Sequence, residues 1–155
     1  MKLKKDVLKE LIIYGAIFAL ALFISSNVLF RYNVIGESMS PTLENGDLGF
    51  ALRTKLGLQE IKRFDIVVIE SPSKYLVKRI IGLPGETVEY KDNKLYIDGN
   101  FVEESFIDGT ETEDFTVTLG NNEYYVLGDN RIHSLDSRAY GPFMKEQIIA
   151  ILFKD

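Results

Sequence analysis

Twenty consecutive residues, 11–30 (LIIYGAIFALALFISSNVLF), carry no charge. A helix of that length rises about 30 Å, the thickness of a bilayer's hydrocarbon core. Lys2, Lys4, Lys5 and Lys9 precede the run, offset only by Asp6 and Glu10; Arg31 follows it, and the next basic residue is Arg53. This asymmetry predicts one transmembrane helix over residues 11–30, with 1–10 in the cytoplasm and 31–155 on the outer side of the cell membrane. A cleaved secretory signal fits less well, because its apolar region is typically about 7–15 residues and an A-x-A cleavage site follows it; none follows here. A buried core helix fits less well too, since the remaining chain is too small to surround a helix that is apolar on every side.

Beyond residue 31 the pattern changes to short alternating runs rich in Val, Ile, Tyr and Phe, bounded by Gly, Pro, Asn and Asp. Such runs predict strands, here Arg31–Gly36, Leu48–Arg53, Asp65–Glu70, Tyr75–Ile81, Thr87–Tyr90, Lys94–Ile97, Phe115–Leu119, Glu123–Leu127 and Gln147–Phe153. Asp98-Gly99 reads as a tight hairpin turn and Gly120-Asn121-Asn122 as a second hairpin loop. Gly82-Leu83-Pro84-Gly85 reads as a turn that ends a strand sharply. Residues 144–153 suit either a short helix or a last strand, and helical periodicity is sustained nowhere else after the apolar run. The expected fold is mostly β, a folded-over antiparallel sheet or partial barrel behind one N-terminal transmembrane helix.

Composition narrows the chemistry. The chain has 155 residues, no cysteine and a single histidine, His133. Thiol catalysis, disulfides and two-His zinc motifs are excluded. The outer segment holds 14 basic and 21 acidic residues, which disfavours nucleic acid as a partner. Gly-rich phosphate loops are absent.

Three segments concentrate the remaining candidates. In Tyr75–Ile81 (YLVKRII), alternation puts Lys78 on one face with Leu76 and Ile80. Aliphatic neighbours desolvate an amine and lower its pKa, and a neutral amine is a general base. The competing reading is a lysine that snorkels to the surface. In Tyr32–Leu43 (YNVIGESMSPTL), an extended run would put Tyr32, Val34, Gly36 and Ser38 on one face, with Ser38 at a strand end before Pro41. The competing reading is a turn serine bonded to local backbone. The third segment, Leu127–Gly141 (LGDNRIHSLDSRAYG), packs Asp129, Arg131, Ser134, Asp136, Ser137 and Arg138 into ten residues. Asp136 and Arg138, two apart, are placed to pair.

SMSPTL, VKRIIGLPGE and GDNRIHSLDSRAYG, in this order behind an N-terminal anchor, resemble the signature blocks of type I signal peptidases. Those enzymes are membrane-anchored serine proteases with a Ser–Lys dyad, and the short connections are most similar to the compact Gram-positive form. The resemblance implies a nucleophile at Ser38 and a general base at Lys78, with Arg79 behind it. It implies that Ser134 bonds to the lysine amine, that Asp136 and Arg138 form an ion pair holding the loop, and that Asp129 belongs to the same scaffold. It implies substrate pockets at Tyr32, Val34, Met39, Leu43, Leu76 and Val77. Three positions depart from the family pattern. Gly36 stands where some members carry an oxyanion-hole serine, Phe64 where glycine is frequent, and His133 where asparagine is common. Gly36 leaves the oxyanion to the Ser38 N–H and one further donor or a water. His133, adjacent in sequence to Ser134, is expected to point away from it as an exposed loop residue.

The function implied is removal of signal peptides from exported preproteins through an acyl-enzyme. No cofactor and no metal are expected, and the partners are preproteins and the lipid bilayer, with the enzyme monomeric. Ser71-Pro72-Ser73-Lys74 matches S-x-x-K, but Pro72 opposes the helix that motif needs, and its companion motifs are absent. A self-cleaving repressor would carry a DNA-binding segment where this chain has the apolar run. The alternative from another class is a catalytically silent, membrane-anchored chaperone or assembly factor on the same fold.

Overall fold

The computed structural model describes residues 2–107 and 111–153. Met1 and residues 154–155, the outer ends of the expected cytoplasmic and extracytoplasmic segments, lie outside the described residues.

The apolar run forms a single helix, α1 (Lys2–Asn27). Its stretch Lys5–Asn27 has a mean hydropathy of 2.2, and none of it is buried against the rest of the protein. A helix apolar all round and covered by nothing is not a core helix. It is long and apolar enough to cross a membrane. The expected span ran to residue 30, but the helix ends at Asn27. There the Ser26 hydroxyl and the Asn27 amide turn back to the Leu22 and Phe23 carbonyls at 2.7 and 3.1 Å. Leu29 and Phe30 pair with Leu52 and Ala51 instead; their apolarity suits a bilayer or a half-buried strand equally.

Among the described residues eleven strands follow: β1 (Leu29–Asn33), β2 (Leu48–Arg53), β3 (Ile66–Glu70), β4 (Tyr75–Gly82), β5 (Thr87–Lys91), β6 (Lys94–Ile97), β7 (Asn100–Val102), β8 (Phe115–Thr118), β9 (Glu123–Leu127), β10 (Phe143–Met144) and β11 (Ile148–Leu152). They form a seven-stranded sheet in the order β1-β2-β11-β3-β4-β9-β10 and a four-stranded sheet in the order β7-β6-β5-β8. Paired strands are antiparallel throughout. The class is the mostly β, antiparallel one that the alternation predicts.

The central strand β4 separates two parts of the core. Leu76 and Ile80 pack with Val67, Ile69, Val126 and Ile148, whereas Val77 packs with Ala51, Val68, Ala150 and Leu152. The smaller sheet closes over a third cluster that includes Ile81, Val88, Tyr90, Leu95 and Leu127. The crossing from β4 to β5 is tight. A Cβ on Gly82 would lie 2.4 Å from Val88 and 2.7 Å from Leu119, so only glycine lets the two sheets approach there. The register slips between Ile80 and Gly82, a bulge that bends the strand toward the second sheet.

Several boundaries differ from expectation. β1 starts earlier than Arg31–Gly36, because Leu29 and Phe30 already pair with β2, and it ends earlier, before the left-handed Gly36 at φ +91°. Asp98-Gly99 makes the expected hairpin, with both residues at positive φ and Ile97 opposite Asn100. Gly120-Asn121-Asn122 does turn, with the Glu123 N–H donating to Gly120 O at 3.2 Å. It closes no hairpin: β8 pairs with β5, and β9 with β4 and β10, so the turn carries the chain between sheets. A short helix unseen in the pattern, α2 (Ser137–Tyr140), starts at Asp136, whose carboxylate accepts the Arg138 N–H. Four residues are too few to show a helical period. Residues 145–147 form one 3₁₀ turn before β11, so the ambiguous segment 144–153 holds both conformations in sequence.

Candidate active site

Ser38 lies beyond β1 in a run of turns. The Ser40 N–H donates to Glu37 O at 3.1 Å and the Leu43 N–H to Met39 O at 2.9 Å. The expected shared face of Tyr32, Val34, Gly36 and Ser38 therefore does not extend past the strand, since the left-handed residue Gly36 interrupts the alternation. The Gly36 N–H is taken by Asn45 Oδ1 at 2.9 Å. Ser38 itself is fixed from the other side, where the Asn130 N–H donates to its carbonyl at 3.2 Å.

β4 brings Lys78 to this turn. Lys78 Nζ and Ser38 Oγ are 2.7 Å apart, and Nζ lies 3.0 Å from the Val77 carbonyl oxygen. The side chain is 3% exposed. The Lys78 pKa is lowered from 10.5 to about 8, chiefly by burial; Asp136 and Asp129 oppose the shift and the nearby Lys74 adds to it. Once neutral, the amine has one lone pair. With an N–H directed to Val77 O, that lone pair is free to take the Ser38 proton.

The third segment surrounds the pair. Asp136 is fully buried and accepts from Arg138 Nε and Nη2, both at 2.9 Å, and from the Gly128 N–H at 3.0 Å. Burial alone would raise the Asp136 pKa, but these hydrogen bonds hold it below the usual carboxylate range. The expected Asp136–Arg138 pairing is therefore present, across the start of α2 rather than along an extended loop. Arg79 makes a two-pronged contact with Asp129, at 2.8 Å and 2.5 Å, and Thr42 Oγ1 donates to the same carboxylate at 2.6 Å. Asp129 thus ties the Ser38 turn to β4.

Ser134 departs from expectation. Its buried hydroxyl makes no hydrogen bond to Lys78; it lies by the Asp136 carboxylate, whose pKa it helps to lower, and the groups within hydrogen-bond distance of Lys78 Nζ are Ser38 and Val77. Ser134 instead presses on Gly128: a Cβ built there would lie 2.2 Å from Ser134 Oγ and 2.3 Å from Ser38 O. Among the candidate pocket residues, Tyr32, Leu43 and Val77 each pack, half-buried, against one core cluster, and Leu76 lies in the core on the other side of β4. Val34 and Met39 are buried. His133 is exposed, its Nδ1 3.3 Å from Asn130 Oδ1. Among the described residues, no cluster of His, Cys, Asp or Glu could hold a metal ion.

Sequence reasoning overlooked Thr42 and Gly128. Thr42 gave no signal, because its partner is 87 residues away. Gly128 did carry one: a glycine just after a strand marks a close approach of other atoms.

The family model described as "Signal peptidase, peptidase S26" matches residues 7–153. Signal peptidase I V of Bacillus subtilis (strain 168) is 38% identical over 149 residues, covering 86% of this chain and 89% of that protein. Signal peptidase I S of the same organism is 41% identical over 158 residues, covering 94% and 86%. A crystal structure of a signal peptidase I from Enterococcus faecalis V583 superposes with a TM-score of 0.56 at 37% identity, covering 61% of this chain and 98% of that one. The chain belongs to the peptidase S26 family and is a serine endopeptidase of the kind that removes signal peptides.

Proposed function

We propose that Ser38 and Lys78 form the catalytic dyad, with α1 anchoring the enzyme in the cell membrane and the β domain outside. The observation that carries this reading is the 2.7 Å contact between Ser38 Oγ and a buried lysine whose pKa is lowered to about 8. Neutral Lys78 takes the Ser38 proton as the hydroxyl oxygen attacks the scissile carbonyl. The Ser38 N–H faces the developing oxyanion; Gly36 brings no hydroxyl, and its own N–H is engaged by Asn45. The protonated lysine then gives its proton to the leaving amine. Water, deprotonated by the same amine, hydrolyses the acyl-enzyme and frees Ser38.

The substrate is an exported preprotein with its signal helix in the bilayer and its cleavage segment extended beside β1. Among the described residues that strand pairs with β2 and ends the seven-stranded sheet, so its other edge suits strand addition. Tyr32, Leu43 and Val77 border this region and favour small residues before the cut. The lysines before the helix keep residues 1–10 in the cytoplasm, and tethering restricts substrates to those held at the same membrane surface. Asp136–Arg138 and Asp129–Arg79 hold the two loops, and Ser134 closes the site beside Gly128. The enzyme acts as a monomer.

The test uses the full chain in lipid vesicles with a signal-peptide-bearing preprotein. Wild type cleaves with a rate that rises with pH and reaches half its maximum near pH 8, the value to which Lys78 is lowered. Ser38→Ala and Lys78→Ala lose cleavage. Either variant cleaving at the wild-type rate refutes the dyad, and a wild-type protein that never cleaves favours the assembly-factor alternative.

A further inference from the structure

The four-stranded sheet contributes nothing directly to the dyad, yet one segment leaving it grips both arginines that flank the catalytic groups. This is the segment after β7. Glu104 Oε1 accepts from Arg131 Nη2 at 2.8 Å, and its other oxygen accepts from the Tyr90 hydroxyl, which in turn accepts from Arg131 Nη1. Two residues on, the Phe106 ring lies 4.0 Å from the Arg79 guanidinium carbon, well inside cation–π range. Phe64 meets the Phe106 ring edge-on at 5.0 Å.

Each arginine passes this grip on to the site. Arg131 is 2% exposed. Its Nε donates to Gly128 O at 3.0 Å, and its own carbonyl accepts from Arg138 at 2.7 Å. Gly128 is the residue pressed between Ser38 O and Ser134. Arg79 immediately follows Lys78, holds Asp129 on one side and donates to Phe64 O at 2.9 Å on the other. Phe64 adopts φ +68°, a conformation that is an outlier for a bulky side chain. Such strain persists only where the surroundings over-determine it. Here the surroundings are the ring contact with Phe106, the Arg79 bond to Phe64 O, and the Phe64 N–H donated to Ile80 O at 2.8 Å.

We propose that Glu104 and Phe106 are positioning residues: the segment from the small sheet braces Arg131 and Arg79, and through them sets Ser38 against Lys78. The inference rests on the dyad reading above. It assigns the small sheet a part in catalysis, where otherwise it would serve only to cover the core.

Two substitutions separate positioning from packing. Phe106→Leu keeps an apolar side chain but removes the aromatic face over Arg79. Glu104→Gln keeps shape and weakens the hold on Arg131. The readouts are kcat and KM per folded molecule, the fraction folded being taken from thermal unfolding in the same vesicles, and the pH at half-maximal rate. Asp136, Asp129 and Lys74, the charged groups whose fields reach Lys78, stay in place. Each variant is expected to lose about tenfold or more in kcat, as misplacement by a fraction of an ångström would cause. KM should stay within about twofold, and the midpoint should rise as water reaches the amine. Phe106→Tyr, which restores an aromatic face, recovers most of the rate lost in Phe106→Leu. The brace is overturned if both variants retain wild-type kcat and midpoint per folded molecule, or if Leu and Tyr at 106 behave alike. Ser38→Ala, assayed alongside, keeps the two readings apart: should it cleave normally, the dyad falls, whereas dependence on Ser38 without dependence on Phe106 removes only the brace.

Discussion

A single methyl group added at Gly128 tests the geometry of the site most directly. An ideal Cβ there lies 2.2 Å from Ser134 Oγ, 2.5 Å from Ser134 Cβ and 2.3 Å from Ser38 O, where ordinary contacts begin at 3.4 Å. A rotamer change would free the Ser134 hydroxyl but not its Cβ. Ser38 O cannot rotate away, because it is backbone and holds the Asn130 N–H at 3.2 Å. The neighbours of Gly128→Ala must therefore retreat by roughly 1 Å, a misplacement that costs about 100-fold in rate when it reaches reacting groups. The same overpacking should destabilise the fold by about 1–3 kcal/mol, so the two effects are separable. Cleavage of a preprotein in vesicles gives kcat, and urea unfolding followed by tyrosine fluorescence gives stability. The expected result is a kcat at least about 30-fold below wild type in a protein that remains folded. An alanine variant cleaving within threefold of wild type would mean that Ser38 is not held against Gly128, and the arrangement of the nucleophile would have to be redrawn.

Other perturbations follow from the charges around Lys78. Its folded pKa, about 8, lies below the ordinary 10.5, so the unfolded chain binds more protons between those values and stability rises with pH across that window. Below it the buried amine carries a penalty of about 3 kcal/mol. Lys78→Met should therefore be inactive yet more stable than wild type at pH 7, the advantage shrinking toward pH 10; urea midpoints across that range check it, and a constant difference would refute it. Lys74 lowers the Lys78 pKa and is exposed, so Lys74→Ala should move the cleavage midpoint to higher pH at low salt and less at high salt. A shift to lower pH contradicts that sign. Asp129→Ala leaves the Arg79 guanidinium buried without its carboxylate, a loss of about 3–5 kcal/mol. Urea unfolding showing less than about 1 kcal/mol would remove Asp129 as the tie between the Ser38 turn and β4.

What the sequence made legible depended on how local the governing interaction is. Period-two alternation is a property of one strand, so the assignment of Leu76, Lys78 and Ile80 to one side of β4 and Val77 to the other survives in the folded core. The same argument applied to Ser38 failed, because it assumed extended backbone through Gly36, and a glycine at φ +91° does not transmit alternation. The position of Ser38 comes instead from contacts distant in sequence: Lys78 is 40 residues away, and Thr42 of the same turn reaches Asp129 across 87. The motif blocks brought these segments together by resemblance, without showing which atoms would meet. That is why the Ser134 bond was misplaced. A hydroxyl expected to orient the amine lies against Gly128, and the amine takes Val77 O, an acceptor that belongs to its own strand and leaves no trace in side-chain patterns. The contribution of the second sheet was hidden for a related reason. Glu104 and Phe106 sit in an acidic connecting segment with no periodicity, and nothing local ties them to their partners, Arg131 in a polar loop and Arg79 in a strand. Only the fold shows both guanidiniums buried, each beside a group that touches the dyad. A polar residue in a loop is thus uninformative until its burial is known, whereas a lysine between two aliphatic residues on a strand narrows the choice to desolvation or snorkelling, which the 3% exposure of Lys78 decides.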